Sequence, residues 1–228
     1  MNKPKQLTFP WNKVNKSSLE GFYTSQENSH LVSLLKDRSF LDDLFIYGTK
    51  ESGKTFLLQA MCNSYSSVSK SSLYIPLKKV MNFGIEIFES LENIDLICID
   101  GIEEVISKIE WEKAIFNLIN KALISESRLI LTSSKDLKSL NFLLPDLESR
   151  IRKIQSYELH PVNDKDIFDA LKYISKLTSI NLGDKEAKYL VTYSQRNISN
   201  LVHILESLDQ LSMEMKRKIT IPLIKEVI

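Results

Sequence analysis

At 228 residues, with 30 Lys plus Arg against 29 Asp plus Glu, the chain carries a formal charge of +1, so no global field marks nucleic acid or a membrane surface as its partner. Hydrophobic residues at 43% and charged residues at 26% exclude a low-complexity or fibrous chain and leave room for a real core. The length fits one large domain, or a medium domain followed by a small one.

The chain opens MNKPKQLTFPWNKVNK, a polar stretch holding Leu7, Phe9, Pro10 and Trp11 before any folded segment begins. Such a cluster reads either as a docking peptide for a partner or as an N-terminal strand packing on its own domain. No apolar stretch of signal-peptide type follows Lys3 and Lys5, and no run approaches the roughly 18 apolar residues of a membrane span. Cys62 and Cys98, each within an apolar run, suit buried thiols in a reducing compartment, and the expected location is the cytoplasm.

Two periods then alternate. LFIY (44–47), SLYIPL (72–77), IDLICID (94–100), RLILT (128–132) and SYEL (156–159) are strand-length runs rich in β-branched and aromatic residues. Helical patterns at 54–66, 82–92, 110–125 and 145–152 lie between them. Several strands are apolar without alternation, as expected where a parallel sheet is covered on both faces. The chain is therefore predicted to be α/β up to residue 160. Beyond Pro161 only helical patterns remain, at 164–178, 184–195 and 197–216 with a short one after Pro222, and Asp164, Asp184 and Asn197 are expected N-caps. The predicted organisation is a tail at 1–20, an α/β domain at 21–160 and a small all-helical domain at 161–228.

GTKESGKT, from Gly48 to Thr55, follows the strand LFIY and precedes the helical FLLQAM, which is GxxxxGK[ST] in its strand–loop–helix setting. Gly48 and Gly53 let successive N–H groups turn inward on phosphate oxygens, and the helix N-terminus adds its dipole. Lys54 is placed to reach the outer phosphates, and the Thr55 hydroxyl to ligate Mg²⁺. Asp100 ends the apolar IDLICID at a strand's C-terminal end, as expected of a Walker B carboxylate in the Mg²⁺ shell. Its neighbour is Gly101, not a second acid; Glu103 and Glu104 lie off the strand and are expected to point elsewhere. The expectation is a nucleotide binder with weak hydrolysis of its own. Thr132, Ser133 and Ser134 end the fourth strand, where they either sense phosphate or merely satisfy a turn. Arg150 and Arg152 in LPDLESRIRK either sit on a solvated helix face or offer a cation to phosphate charge on another subunit. His30, His160 and His203 stand apart and receive no role, and Trp111 in EWEKAIF is read as core packing.

Taken together, QLTFPW, GTKESGKT, LICIDGIEEV with the following EWEKAIFNLINKA, LPDLESR and the closing RKITIPLIKEVI resemble the Hda family of DnaA-related AAA+ proteins, over essentially the whole chain. The resemblance implies an AAA+ nucleotide-binding domain with a helical lid. It also implies that Gln6, Leu7, Phe9, Pro10 and Trp11 form a peptide for the replicative sliding clamp, the β subunit of DNA polymerase III. By the same resemblance Arg150 is an arginine finger that promotes hydrolysis of DnaA-bound ATP in trans, so that the protein limits re-initiation of replication. Its own site is then expected to hold ADP or ATP with Mg²⁺, without sequence-specific DNA binding or a membrane partner.

Three positions depart from the family pattern. Ser199 stands where many relatives carry the sensor 2 arginine, with Arg196 three residues earlier as its substitute; Ser134 stands at the acidic sensor 1 position; and Trp11 replaces the commoner leucine. Two other readings remain: a DnaA-like initiator or helicase loader, which would need a DNA-binding surface denser than KRK at 216–218, and a clamp-tethered adaptor without a catalytic role.

Overall fold

The computed structural model describes residues 17–88 and 94–228; the peptide Gln6 to Trp11 lies outside the described residues. Five parallel strands form one sheet: β1 (Leu44–Tyr47), β2 (Ser72–Pro76), β3 (Leu96–Asp100), β4 (Arg128–Ser133) and β5 (Gln155–Glu158), in the order β2-β3-β4-β1-β5. Central β1, β3 and β4 are almost wholly buried, which is why their sequences show no polar alternation, whereas the edge strands β2 and β5 are half-buried or exposed. Pro76, which lacks an N–H, closes β2 on the sheet edge, where a missing donor costs least.

The period of two sorts strand residues into two cores. Phe45, Ile97, Ile99, Leu129 and Leu131 face one side, and Leu44, Ile46, Leu96, Cys98 and Ile130 the other. The first side is covered by α4 (Ile109–Ile124) through Ile115, Leu118, Ile119 and Ala122, and by α5 (Pro145–Ile151) through Leu147 and Ile151. The second is covered by α2 (Lys54–Ser66) through Leu57, Leu58 and Met61, and by α1 (Ser29–Lys36) through Leu31 and Leu35. Trp111 packs on the first core, edge-on to Phe88 at 5.9 Å, as core packing requires.

One expected helix is different. Over the described part of the expected 82–92 helix, residues 82–88, a 3-10 turn at Ile85–Phe88 stands instead, preceded by a single helical turn, α3 (Leu77–Val80), because Asn82 and Phe83 close tight turns onto Lys79 and Val80. The α1 helix was not anticipated. Asn28, at its N-cap position, holds the segment to the end of β5 by a reciprocal pair, donating to the His160 carbonyl at 2.8 Å and accepting from the His160 N–H at 3.0 Å.

Four further helices follow: α6 (Ile167–Leu177), α7 (Asp184–Tyr193), α8 (Ile198–Met215) and α9 (Ile221–Lys225). They bury a third core of their own, including Leu171, Leu190, Leu201, Leu205 and Ile224. Asn197 caps α8 as expected, its side chain accepting from the Ser199 N–H at 2.7 Å. The other two caps differ. Asn163 accepts from the Asp166 N–H at 2.9 Å, so α6 starts two residues later and Asp166 takes the N-cap place. Gly183 occupies the N-cap of α7, and Asp184 is instead drawn to Lys172, at 2.8 Å.

Candidate nucleotide site and the two arginines of α5

The loop Gly48–Thr55 joins β1 to α2 at the C-terminal edge of the sheet. A side chain at Gly48 would collide with the Leu159 carbonyl oxygen; Gly53, at φ +101°, lies in the left-handed region, and a Cβ there would stand 2.7 Å from the Phe22 ring. Both positions need glycine for the loop to close this tightly. The Lys54 ammonium is folded into the loop and donates to the Gly48 and Thr49 carbonyls, at 2.7 Å each. Burial lowers its pKa, while the carboxylates of Glu103 and Asp100 raise it. A cradle of backbone with a cation at its centre fits the phosphates of a nucleotide.

Asp100 gathers three hydroxyls. Thr55 Oγ1 donates to its Oδ2 at 2.7 Å, Tyr74 OH to the same oxygen at 2.8 Å, and Thr132 Oγ1 to Oδ1 at 2.6 Å. Burial and the Asp100 charge push the Tyr74 phenol well above the usual tyrosine range, so Tyr74 stays a donor. Thr55 and Asp100, side by side, are the pair that would hold a Mg²⁺ ion. Thr132 is fully buried, and its hydroxyl also accepts from the Gly101 N–H at 3.2 Å. It therefore orients Asp100 and its turn.

Glu103 overturns the expectation that it points away. The chain turns at Gly101 into a 3-10 turn, Ile102–Val105, which doubles back and brings Glu103 Oε1 within 2.8 Å of the Ser134 N–H. Its Oε2 is buried with no hydrogen-bond partner. Glu103 thus joins Lys54, Asp100 and Ser134 as a member of the site that strand periodicity alone did not identify. The signal lay in Gly101, a residue suited to a reversal directly after a strand.

From the helical region, Asn197 reaches the loop and donates to Glu51 Oε2. Arg196, expected as the substitute cation, forms a 3.8 Å ion pair with Asp164 instead, and Ser199 lies in the first turn of α8. The structure therefore brings Gly48, Gly53, Lys54, Thr55, Asp100, Thr132 and Ser134 together and gives Arg196 a different partner.

The two arginines of α5 separate clearly. Arg152 pairs with Glu148 one turn back, whereas the Arg150 side chain has no hydrogen bond or ion pair among the described residues. Arg150 lines an open cleft of about 350 Å³ with Asp42, Asp43, Leu123, Lys153 and Gln155. Asp43 immediately precedes β1 and Gln155 begins β5, so this cleft lies at the N-terminal edge of the sheet, opposite the Gly48–Thr55 loop. The four residues of β1 span about 13 Å between the two edges. Arg150 faces away from its own chain's phosphate cradle.

Comparison with known proteins places these features. The family described as "AAA domain" matches residues 43–168, and that described as "Hda, lid domain" matches residues 164–228. A Haemophilus influenzae protein described as uncharacterized is 35% identical over 227 residues, covering 98% of each chain. Domain III of the Thermotoga maritima replication initiation protein DnaA superposes with a TM-score of 0.75 at 19% identity, over 94% of this chain and 98% of that one. AMPPCP-bound DnaA from Aquifex aeolicus superposes with a TM-score of 0.69 at 21% identity, over 88% of this chain and 67% of that one. No helix among the described residues is long and apolar enough to cross a membrane.

Proposed function

The chain belongs to the AAA domain family as an Hda/DnaA-related AAA+ protein, and from that premise we propose that it is a negative regulator of replication initiation that promotes hydrolysis of DnaA-bound ATP in trans. Its DnaA-like core and Hda lid support a DnaA-related replication regulator; the arginine-finger mechanism is our reading. The observation that carries this reading is the placement of Arg150: its side chain unpaired among the described residues, lining an open cleft, on the sheet edge opposite its own phosphate cradle. A guanidinium so placed reaches the nucleotide of a neighbouring molecule, where its planar fork stabilises charge developing on the transferred phosphoryl group.

The chain's own site supports nucleotide binding. Gly48 to Thr55 cradle the phosphates of ADP or ATP; Thr55 and Asp100 hold Mg²⁺, which neutralises phosphate charge when bound. The residue next to Asp100 is Gly101, and the acid that does enter the site, Glu103, is engaged by the Ser134 N–H; weak hydrolysis by the chain itself remains our expectation. Asn197 ties the lid to the loop through Glu51. Gln6, Leu7, Phe9, Pro10 and Trp11 serve as the tether to the DNA-loaded sliding clamp, a few anchors entering a preformed groove.

The decisive experiment measures ATP hydrolysis by the cognate DnaA, with clamp loaded on DNA, in the presence of this protein. Wild type and Arg152→Ala should accelerate hydrolysis, whereas Arg150→Ala should lose about a thousandfold or more of the acceleration, the worth of an arginine finger. Replacing Leu7, Phe9 and Trp11 by alanine should abolish clamp dependence without changing nucleotide binding. Full acceleration by Arg150→Ala would reject the arginine-finger reading and leave a clamp-tethered adaptor.

A further inference from the structure

The side chain of Glu112 is fully buried in the first turn of α4, yet among the described residues it has no ion pair. Burying a carboxylate is expensive unless its oxygens are satisfied. Both are: Oε1 accepts from the Ser107 N–H at 2.9 Å, and Oε2 from the Leu144 N–H at 2.7 Å. These donors belong to two loops that sequence separates by 37 positions, and each loop leads to a functional element. Ser107 ends the segment that runs from Asp100 through the turn carrying Glu103, and it sits at φ +65°, an unusual conformation for serine. Leu144 is the N-cap of α5, whose next residue is Pro145 and whose last turn carries Arg150. Pro145 has no N–H, so the Leu144 N–H is the donor that immediately precedes the first turn of this short helix.

Resting on the reading of Arg150 given above, we propose that Glu112 is a positioning residue that ties the arginine-bearing helix to the Walker B segment, so that the nucleotide state at Asp100 sets where Arg150 stands. The link is rigid at each step. Asp100 is held by Thr132, Glu103 is held to Ser134, and the segment that continues past Glu103 ends with the Ser107 N–H on the Glu112 carboxylate. Nucleotide and Mg²⁺ engage Thr55, Lys54 and Asp100, and any shift of the Asp100–Ser107 segment is passed to Leu144 through one side chain. A carboxylate accepting two backbone N–H groups is suited to this task because hydrogen bonds to a charged acceptor are the strong ones. Coupling of this kind is a differential interaction carried by a contiguous element.

Glu112→Gln tests the link with little change in volume, since the amide keeps one acceptor but turns an NH₂ toward the second donor. The first readout needs no DnaA: amide hydrogen exchange at Ser107 and Leu144 in the full chain, with and without Mg²⁺–ADP. In wild type Mg²⁺–ADP should slow exchange at both amides together, whereas in Glu112→Gln the effect at Leu144 should vanish while that at Gly53 remains. The second readout is DnaA-bound ATP hydrolysis as a function of regulator concentration. Glu112→Gln should lower the maximal rate at least tenfold and leave the half-saturating concentration within twofold, because docking is kept and Arg150 is misplaced. If Glu112→Gln retains the ADP-dependent protection at Leu144, or matches the wild-type maximal rate while Arg150→Ala loses it, the positioning role is overturned. If Arg150→Ala itself keeps full acceleration, the arginine-finger reading fails, and the exchange measurement alone decides whether Glu112 couples the two loops.

Discussion

Lys54 holds its charge against the burial of its own loop, and the balance is set by two carboxylates that approach it, Glu103 and Asp100. Its pKa lies below the ordinary lysine value of 10.5, so the free site loses its cation at a lower pH than an exposed lysine would. Phosphate binding favours the charged form. Nucleotide affinity is therefore expected to fall as pH rises through the lowered Lys54 value, and Glu103→Gln, which removes a charge that supports the cation, should move that fall to lower pH. Titrations of fluorescent ADP between about pH 7 and 10 check this; superimposable profiles for the two proteins would count against it. The sequence made Lys54, Thr55 and Asp100 legible because chain spacing itself encodes their roles: loop, helix start and strand end. Glu103 and Glu112 were hidden for a common reason. Each acts on a backbone N–H that only tertiary folding brings near, Ser134 across the sheet and Leu144 across α4, and neither partner leaves a trace in local pattern.

At the scale of elements, α8 depends on one residue at its start. Asn197 caps the helix through Ser199 and also reaches Glu51 in the phosphate loop. Asn197→Ala should destabilise the protein by about 1 kcal/mol, the usual worth of such a cap, as read by chemical denaturation. Asn197→Asp separates the two duties: it keeps the cap and sets a carboxylate against Glu51. It should therefore stay near wild type in stability while weakening ADP binding; equal loss of stability in both variants would show that the cap was not the source. Strands and long helices were legible because burial on one or two faces imposes period and composition, and β1 and α2 match their expected bounds residue for residue. The Leu77–Phe88 region was not. Its apolar residues fit a helix, but turns at Asn82 and Phe83 break it. The α1 helix escaped because its anchor, Asn28, gains meaning only against His160 at the far end of the domain.

For the whole molecule, we propose the division into 21–160 and 161–228, each unit having apolar clusters of its own, with Leu19 of the expected 1–20 tail packed into the first unit. Lys165, exposed in the connecting segment, is the expected first site of brief trypsin cleavage within the described residues. Two fragments that resist further digestion should result, and a first cut inside 44–159 or 167–224 would reject the division. The units touch beyond this segment: Tyr173 on α6 donates to the Glu20 carbonyl at 2.7 Å and its ring meets Tyr23 edge-on.

The phosphate cradle and Arg150 lie on opposite edges of one sheet, and this gives the molecule a direction. Any contact that sets the arginine of one unit on the cradle of the next joins two unlike surfaces, so units line up head to tail and a row of them has two distinguishable ends. Only one end of such a row exposes a cradle. On the proposed role of Arg150, a regulator built this way would approach an assembled row from that end alone, meet a single terminal nucleotide at a time, and act further inward only after the terminal unit had left.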